Sequence, residues 1–545
     1  MKKRIISLLL TAALLGASGA AADAAMIDTA GTGAQTDAAI VAADYAEVGS
    51  ELTPASDLPT AYSSRDEGFV TPVRNQIHNT CWAYSSTAAL ETLMIKNRKT
   101  AEHLSTMHMN FWGCRTPDGT GWLRSYSDAG YPYIALGYLT SFGGVMDDLF
   151  DESTTQSDYA ASIGELYPYI AADSAIYLDG EDRDTIKTAI YTYGAVVGNF
   201  HYDSMCTGIQ RAYNCDIPGV STSGLNGHAV ELVGWDDAYS AANFREAHRP
   251  SSDGAWLCKN SWGTSFGDNG FFWISYEDMY LFDSRFGPSY AITGYSDMTA
   301  ISKIQQNEVY GATYEFGYLN EVRPAMNRMT YVNVLDFSDG YHNIDKVIFE
   351  STSEGSPYSV YYIPVDENDV PVTDTSRWTL LGEGTVGYQG YICVDAGGFN
   401  APIGKGAIGV HMQSNSAGDY TIGIGEWLSK GSKYIFLPES KPGQSYLIGY
   451  DVQPTDILDF YSSYDDDIGG TFVIKALCKS DDFEGDVDRD GEFGITDVTC
   501  TQRMLAEMIT LDKIQMRFAD FDNDGGVQIT DVTHMQRSLA GFKNV

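Results

Sequence analysis

Three residue types, in a fixed order along the chain, have the makings of a nucleophilic site. Cys81 lies in Gln76-Ile77-His78-Asn79-Thr80-Cys81-Trp82-Ala83-Tyr84-Ser85, His228 in Asn226-Gly227-His228-Ala229-Val230 and Asn260 in Lys259-Asn260-Ser261-Trp262-Gly263. The thiolate is the nucleophilic form of cysteine. An imidazole that takes the thiol proton and later gives it to a leaving amine splits acyl transfer into two easier steps through a thioester. An asparagine carbonyl that accepts the other imidazole N–H holds the ring in its plane, the third role of a triad, and Trp262 would shield that bond from water. Taken singly, each residue has a plainer explanation: a small buried cysteine, a satisfied core histidine, a turn asparagine.

A second chemistry stands near the C-terminus. Asp486, Asp488, Asp490 and Asp497 occupy positions 1, 3, 5 and 12 of one stretch, with Gly491 at 6; Asp520, Asp522, Asp524 and Asp531 repeat this with Gly525 at 6, offset by 34 residues. Hard Ca²⁺ wants such an oxygen cage, to which position 7, here Glu492 and Gly526, adds a main-chain carbonyl. Two matching loops point to two calcium ions. The last ligand is Asp where an EF-hand has Glu. No cofactor is expected for the nucleophilic site.

These groups need elements to position them. Ala83, Leu90, Leu93 and Met94 share a helical face, predicting a helix that starts at or near Cys81. There the helix dipole and a nearby imidazolium are expected to lower the thiol pKa. Further helices are predicted for 131–140 and 183–193, and strands for 228–235 and 271–276, which are rich in β-branched and aromatic residues and bounded by Gly. That is an α+β pattern for residues 58–300. From 310 to 480 the texture changes to short β-prone runs (345–350, 359–364, 390–394, 407–411, 433–437 and 471–477) separated by turn residues, as in a β-sandwich. The Asp loops run straight into predicted helices 498–508 and 532–539, and neither is preceded by a clear helix. The fold class is therefore multidomain: an α+β domain, a β-sandwich, then a small helical module with two calcium loops over 485–545.

The chain's 545 residues exceed what one core usually supports, which agrees with that division. Lys2, Lys3 and Arg4, an apolar stretch to Leu15 and small residues to Ala25 read as a cleaved secretory signal over 1–25. No later stretch is apolar for long enough to span a bilayer, so the mature protein is expected to be soluble and exported. Residues 26–57 read as a linker or short pro-segment. A net charge of -39 argues against nucleic acid or an anionic membrane surface as partner and favours cations. Eight cysteines in this length do not make a disulfide framework. Cys206 and Cys215 either close a loop or remain thiols, and spacing leaves both open.

The run Leu58-Pro59, Arg65-Asp66, Gly68, Val70 to Gln76 and Cys81 to Ser85, with the His228 and Asn260 blocks, resembles the papain family of cysteine peptidases. The resemblance implies a papain-like α+β fold, hydrolysis of protein or peptide substrates, a role for Gln76 as oxyanion donor beside the triad, and substrate backbone laid along Gly143-Gly144 as an added strand. Gln76 precedes Cys81 by five residues where the family usually has six, and the half-cystine of that loop is absent. The segment before Leu58 is too short for the large helical propeptide of many relatives, so latency would arise differently. The paired Asp loops resemble a type I dockerin, which implies docking to a cohesin module on a scaffold protein at the cell surface, as in cellulosomes, with Ile495, Thr496, Ile529 and Thr530 near the recognition face. The β-rich region resembles the lectin-like domain that follows papain-type domains in some bacterial secreted proteins. Its Tyr358, Tyr361, Tyr362, Trp378 and Trp427 either stack on carbohydrate or fill the sandwich, the latter being favoured. The residues together with these resemblances thus imply a scaffold-docked endopeptidase. Its alternatives are a catalytically weak or dead carbohydrate-binding or structural scaffold component, and an exopeptidase or transferase with the same triad.

Overall fold

The computed structural model describes residues 33–34, 58–97, 103–114, 121–122, 124–141, 170–178, 183–208, 211–220, 226–298, 301–311, 314–318, 328–428, 440–449, 453–462, 468–480, 485–490, 492–511, 513–522 and 526–542. The helix Cys81–Lys96 is buried along most of its length rather than on one face. Its polar residues are accommodated because Ser85 and Thr87 return their hydroxyls to the Cys81 and Ala83 carbonyls, each at 2.9 Å. The other two helices expected in this domain are Pro132–Ser141 and Arg183–Tyr193. The expected strands are Gly227–Asp236 and Phe271–Ser275.

One antiparallel sheet runs through both large modules. Its order is Phe271–Ser275, Ala255–Lys259, Gly227–Asp236, Val196–His201, Tyr290–Asp297, Ile170–Tyr177, Gly390–Asn400, Tyr341–Ser351, Ile474–Ser480 and Ser302–Gln306. The crossing from α+β domain to sandwich lies between the sixth and seventh strands, where Gly390 pairs with Ile176 and Tyr391 with Ala175. A Cβ on Gly390 would stand 2.2 Å from the Ala175 carbonyl oxygen, and its φ is +131°, so this closure requires glycine. A six-stranded sheet that includes Pro357–Ile363, Lys405–Gln413 and Arg328–Asp336 faces the sandwich half of the long sheet. Tyr331, Val360 and Ile408 from one layer and Val347, Phe349 and Ile474 from the other form a common core.

The predicted runs at 345–350, 359–364, 390–394 and 407–411 lie in or overlap strands, and 471–477 is split between Ile468–Phe472 and Ile474–Ser480. The run at 433–437 lies outside the described residues. Tyr362 is buried in the sandwich, Tyr358 packs edge-on against Phe349 at 5.1 Å, and Tyr361 and Trp378 are half-buried against one another at 5.5 Å.

The two large modules are also joined by buried charge. Lys475, on the sandwich strand, and Glu308, between the modules, are fully buried and 3.5 Å apart. The Lys475 ammonium also donates to the Ser141 hydroxyl, to Gln306 Oε1 at 3.0 Å and to the Glu308 carbonyl at 3.1 Å. Burial lowers the Lys475 pKa, and Glu308 opposes that shift. A second bridge links Lys346 of the sandwich to Asp173 of the α+β domain at 2.6 Å.

The C-terminal module consists of helices Ile495–Leu505, Lys513–Ala519 and Ile529–Leu539 around Val487, Val498, Phe518, Val532 and Met535. The helix Lys513–Ala519 corrects the expectation that neither loop follows a helix. Its sequence is too short for a clear period, but Phe518 and Ala519 are buried in the module's core. No described helix is long and apolar enough to cross a membrane.

Candidate functional site

The nucleophile helix begins at Cys81 itself, with Thr80 as its N-cap. The thiol is fully buried and accepts a hydrogen bond from the main-chain N–H of Ala229, the residue after His228, at 3.3 Å. The strand bearing His228 is therefore held directly against the first turn of this helix. His228 Nε2 and Asn260 Oδ1 are 2.9 Å apart, with Asn260 just beyond the neighbouring strand Ala255–Lys259. With Nε2 engaged by Asn260, proton exchange with the thiol would fall to Nδ1.

Trp262 lies nearly parallel to the imidazole, with centroids 4.4 Å apart and an interplanar angle of 18°. Tyr202 meets Trp262 edge-on at 5.0 Å, and Phe200 meets His228 at 5.7 Å. These rings keep water from the His228–Asn260 bond, which strengthens it. Tyr202 and Phe200 were not singled out from the sequence, because only the pairing of Phe200 with His228 across the strands brings them to the imidazole.

Burial pushes the Cys81 thiol up to about 12, against the pull of main-chain N–H groups that include Ala229. This is the reverse of the lowered value expected from the helix terminus: enclosing the sulfur disfavours its anion more than the dipole favours it. A thiolate here requires a cation beside it, the part a protonated His228 would play.

Gln76 is fixed by the asparagine block. Ser261 donates its hydroxyl to Gln76 Oε1 at 2.6 Å, while Gln76 Nε2 donates to the His78 carbonyl at 2.9 Å. The loop that is one residue short closes through His78 at φ +58°, a left-handed conformation uncommon for a residue with a side chain. One Nε2–H of Gln76 is thus used within the loop, leaving the other for a substrate oxygen. Ser261 was not foreseen, and its adjacency to Asn260 is the only sequence signal for it. Gly143 and Gly144 lie outside the described residues.

Cys206 and Cys215 are buried free thiols, so this structure holds them unbridged.

In the C-terminal module, carboxylate oxygens of Asp486, Asp488 and Asp497 lie within 4.8 Å of one another, as do those of Asp520, Asp522 and Asp531. Asp490 is exposed and stands outside the close group, with its N–H on Asp486 Oδ1 at 3.0 Å. Glu492 and Gly526 are in the loops as expected, and Asp524 lies outside the described residues. Asp497 also accepts from Gly494 N at 2.7 Å, which ties the loop's last position to the start of the following helix. Burial raises its pKa, and the charges of Asp488 and Asp486 add to the rise. A cluster of hard, mutually repelling oxygens of this kind fits a divalent cation.

With this geometry in hand, comparisons with known proteins give three successive matches: papain family cysteine protease over residues 58–285, lectin like domain over 304–477 and dockerin type I domain over 484–540. Among curated relatives, cathepsin L2 of Homo sapiens is 28% identical over 237 residues, which are 39% of this chain and 60% of the relative. Probable cysteine protease RD19B of Arabidopsis thaliana is 31% identical over 230 residues, 41% of this chain and 60% of the relative. The chain thus spans about 60% of the length of these relatives. The clostridial cysteine protease Cwp84 after propeptide cleavage is 32% identical, with a TM-score of 0.66, over 77% of this chain and 99% of that one. A structure of the cysteine protease and lectin-like domains of Cwp84, a surface layer associated protein of Clostridium difficile, is 31% identical with the same TM-score, over 77% of this chain and 89% of that one.

Proposed function

Because the chain belongs to the papain family of cysteine proteases, we propose that it is an exported endopeptidase whose triad is Cys81, His228 and Asn260 and whose dockerin tethers it to a cohesin-bearing scaffold outside the cell. The observation that carries the reading is the 2.9 Å contact of His228 with Asn260 under Trp262, with the Cys81 sulfur on the N–H of the residue next to His228.

In the first step His228 Nδ1 takes the Sγ proton, and the sulfur attacks the peptide carbonyl carbon. The carbonyl electron pair moves onto oxygen, where the Cys81 N–H and the free Nε2–H of Gln76 stabilise it. Collapse breaks the C–N bond, and the imidazolium gives its proton to the departing amine. Water, deprotonated by His228, then attacks the thioester and releases the acid and the thiol. Throughout, Asn260 Oδ1 holds the imidazole by accepting from Nε2–H.

The division into peptidase (58–300), lectin-like sandwich (310–480) and dockerin (485–545) is part of this reading, as is a signal over 1–25. Residues 26–57 are a linker or short pro-segment, and the antiparallel pairing of Gly33–Ala34 with Gly227–His228, beside the triad histidine, supports the second as a latency contact. Gly143 and Gly144 would receive substrate backbone. Each Asp loop would hold one Ca²⁺, the first through Asp486, Asp488, Asp490, Asp497 and the Glu492 carbonyl, the second through Asp520, Asp522, Asp524, Asp531 and the Gly526 carbonyl. Ile495 and Ile529, at matching positions and each about two-thirds exposed, support docking through this face. Among the described residues, the half-buried Tyr361 and Trp378 are candidates for contact with a sugar.

Digestion of a peptide library by wild type and Cys81→Ala, read by mass spectrometry, tests the activity. Internal cleavages by wild type alone are expected. A wild type with no cleavage in calcium buffer would defeat the peptidase reading.

A further inference from the structure

Behind the triad, a cavity of about 20 Å³ is lined by residues of the nucleophile helix, the histidine strand and the asparagine block, among them Ser85, Glu231, Lys259 and Asn260. Two buried polar atoms of these residues lack a hydrogen bond among the described residues. Asn260 Oδ1 is fully used, accepting from His228 and from Ser261 N at 2.7 Å, but Asn260 Nδ2 has no hydrogen-bond partner among the described residues. Glu231 Oε1 accepts from the Thr92 hydroxyl at 2.6 Å, whereas Oε2 has only the Lys259 ammonium, 3.2 Å away, and no hydrogen bond. Both side chains are almost wholly buried. Both residues line this cavity, and a buried donor or acceptor without a hydrogen bond is unfavourable.

We propose that the cavity is the site of an ordered water that accepts from Asn260 Nδ2 and donates to Glu231 Oε2, and that Glu231 is thereby a positioning residue for the triad. The proposal rests on the triad reading above. A single water needs roughly 10–15 Å³ of such space and two to four polar partners, and the cavity meets both conditions. The consequence follows from the symmetry of an amide. Asn260 has an oxygen and a nitrogen of similar size, and only the oxygen can accept the imidazole N–H. An acceptor fixed on the nitrogen's side makes the flipped amide unfavourable, so Oδ1 stays on His228 Nε2 and the imidazole keeps its orientation.

Glu231 is well placed for this. It lies three residues beyond His228 on the same strand, is paired in register with Lys259 next to Asn260, and is held by Thr92 of the nucleophile helix. One carboxylate therefore touches all three segments that carry the triad.

The test uses the full chain in calcium buffer. Two neutral double variants, E231Q/K259M and E231M/K259M, avoid a lone buried charge; the first keeps an acceptor for the water and the second does not. The expected result is a kcat for E231M/K259M lower by about tenfold or more with KM nearly unchanged, the scale of loss seen when outer-shell partners are removed, and recovery of most of it in E231Q/K259M. Equal kcat in the two variants would overturn the proposal. An atomic-resolution crystal structure of the wild type, which does not depend on either variant folding, should show the water between Asn260 Nδ2 and Glu231 Oε2; a dry cavity would also overturn it. Active wild type with either negative result would sink the water bridge alone, whereas an inactive wild type would sink the triad reading.

Discussion

Three buried carboxylates of the peptidase and sandwich face cations, whereas the buried carboxylates described in the dockerin face one another. In the former, Lys475 faces Glu308, Lys259 faces Glu231 and Arg74 faces Glu91 at 3.1 Å. In the latter, Asp486 and Asp497 are buried together beside Asp488, and Asp531 is buried beside Asp522. A buried ion pair carries its own counter-charge, although desolvation offsets much of its attraction. A carboxylate cluster has to obtain a cation from solution. The two regions should therefore respond differently to calcium, and the dockerin should be the one that depends on it.

The largest effect expected is from chelation. EDTA should abolish most of the helicity of Ile495–Leu505 and Ile529–Leu539, because binding energy in such loops is folding energy. Peptide turnover should remain at its calcium value. Circular dichroism and a peptidase assay on the same sample check this, and loss of turnover in step with helicity would erase the contrast.

Lys475→Met should destabilise the body by about 3–5 kcal/mol, since it leaves Glu308 buried without its partner. Denaturant unfolding in calcium buffer reads that loss, and K475M/E308Q should recover much of it. If the pair only decorates the seam, the single variant will unfold like wild type.

A smaller and more local effect is expected at the oxyanion. Gln76→Ala should lower kcat by about tenfold or more, somewhat less than the loss of a fully committed oxyanion donor, because Gln76 spends one N–H on His78. An unchanged kcat would remove Gln76 from the site.

What was legible in the sequence is local or carried by fixed spacing. Cys81 announces itself by the helix that follows it, and the calcium loops by carboxylates whose positions a single backbone turn fixes. Glu231 and Lys259 are each a lone charge in an apolar strand, which marks them as odd, but their pairing appears only once the register Glu231–Lys259 is known. The seam between the modules was illegible for the same reason. Gly390 looks like any turn glycine until Ala175 is brought against it from more than two hundred residues away. The thiol's raised pKa was missed because the sequence shows the helix start but not how completely the sulfur is enclosed.

The central claim is that Cys81 is an activated nucleophile in a body that does not need the dockerin's metal. Treatment of the full chain with an epoxide inhibitor of papain-like enzymes, in calcium and in EDTA, followed by peptide mapping, tests it directly. The account predicts one adduct, on Cys81, in both buffers, and its loss in His228→Ala. No adduct on Cys81 in calcium buffer, or equal labelling after His228→Ala, would contradict it.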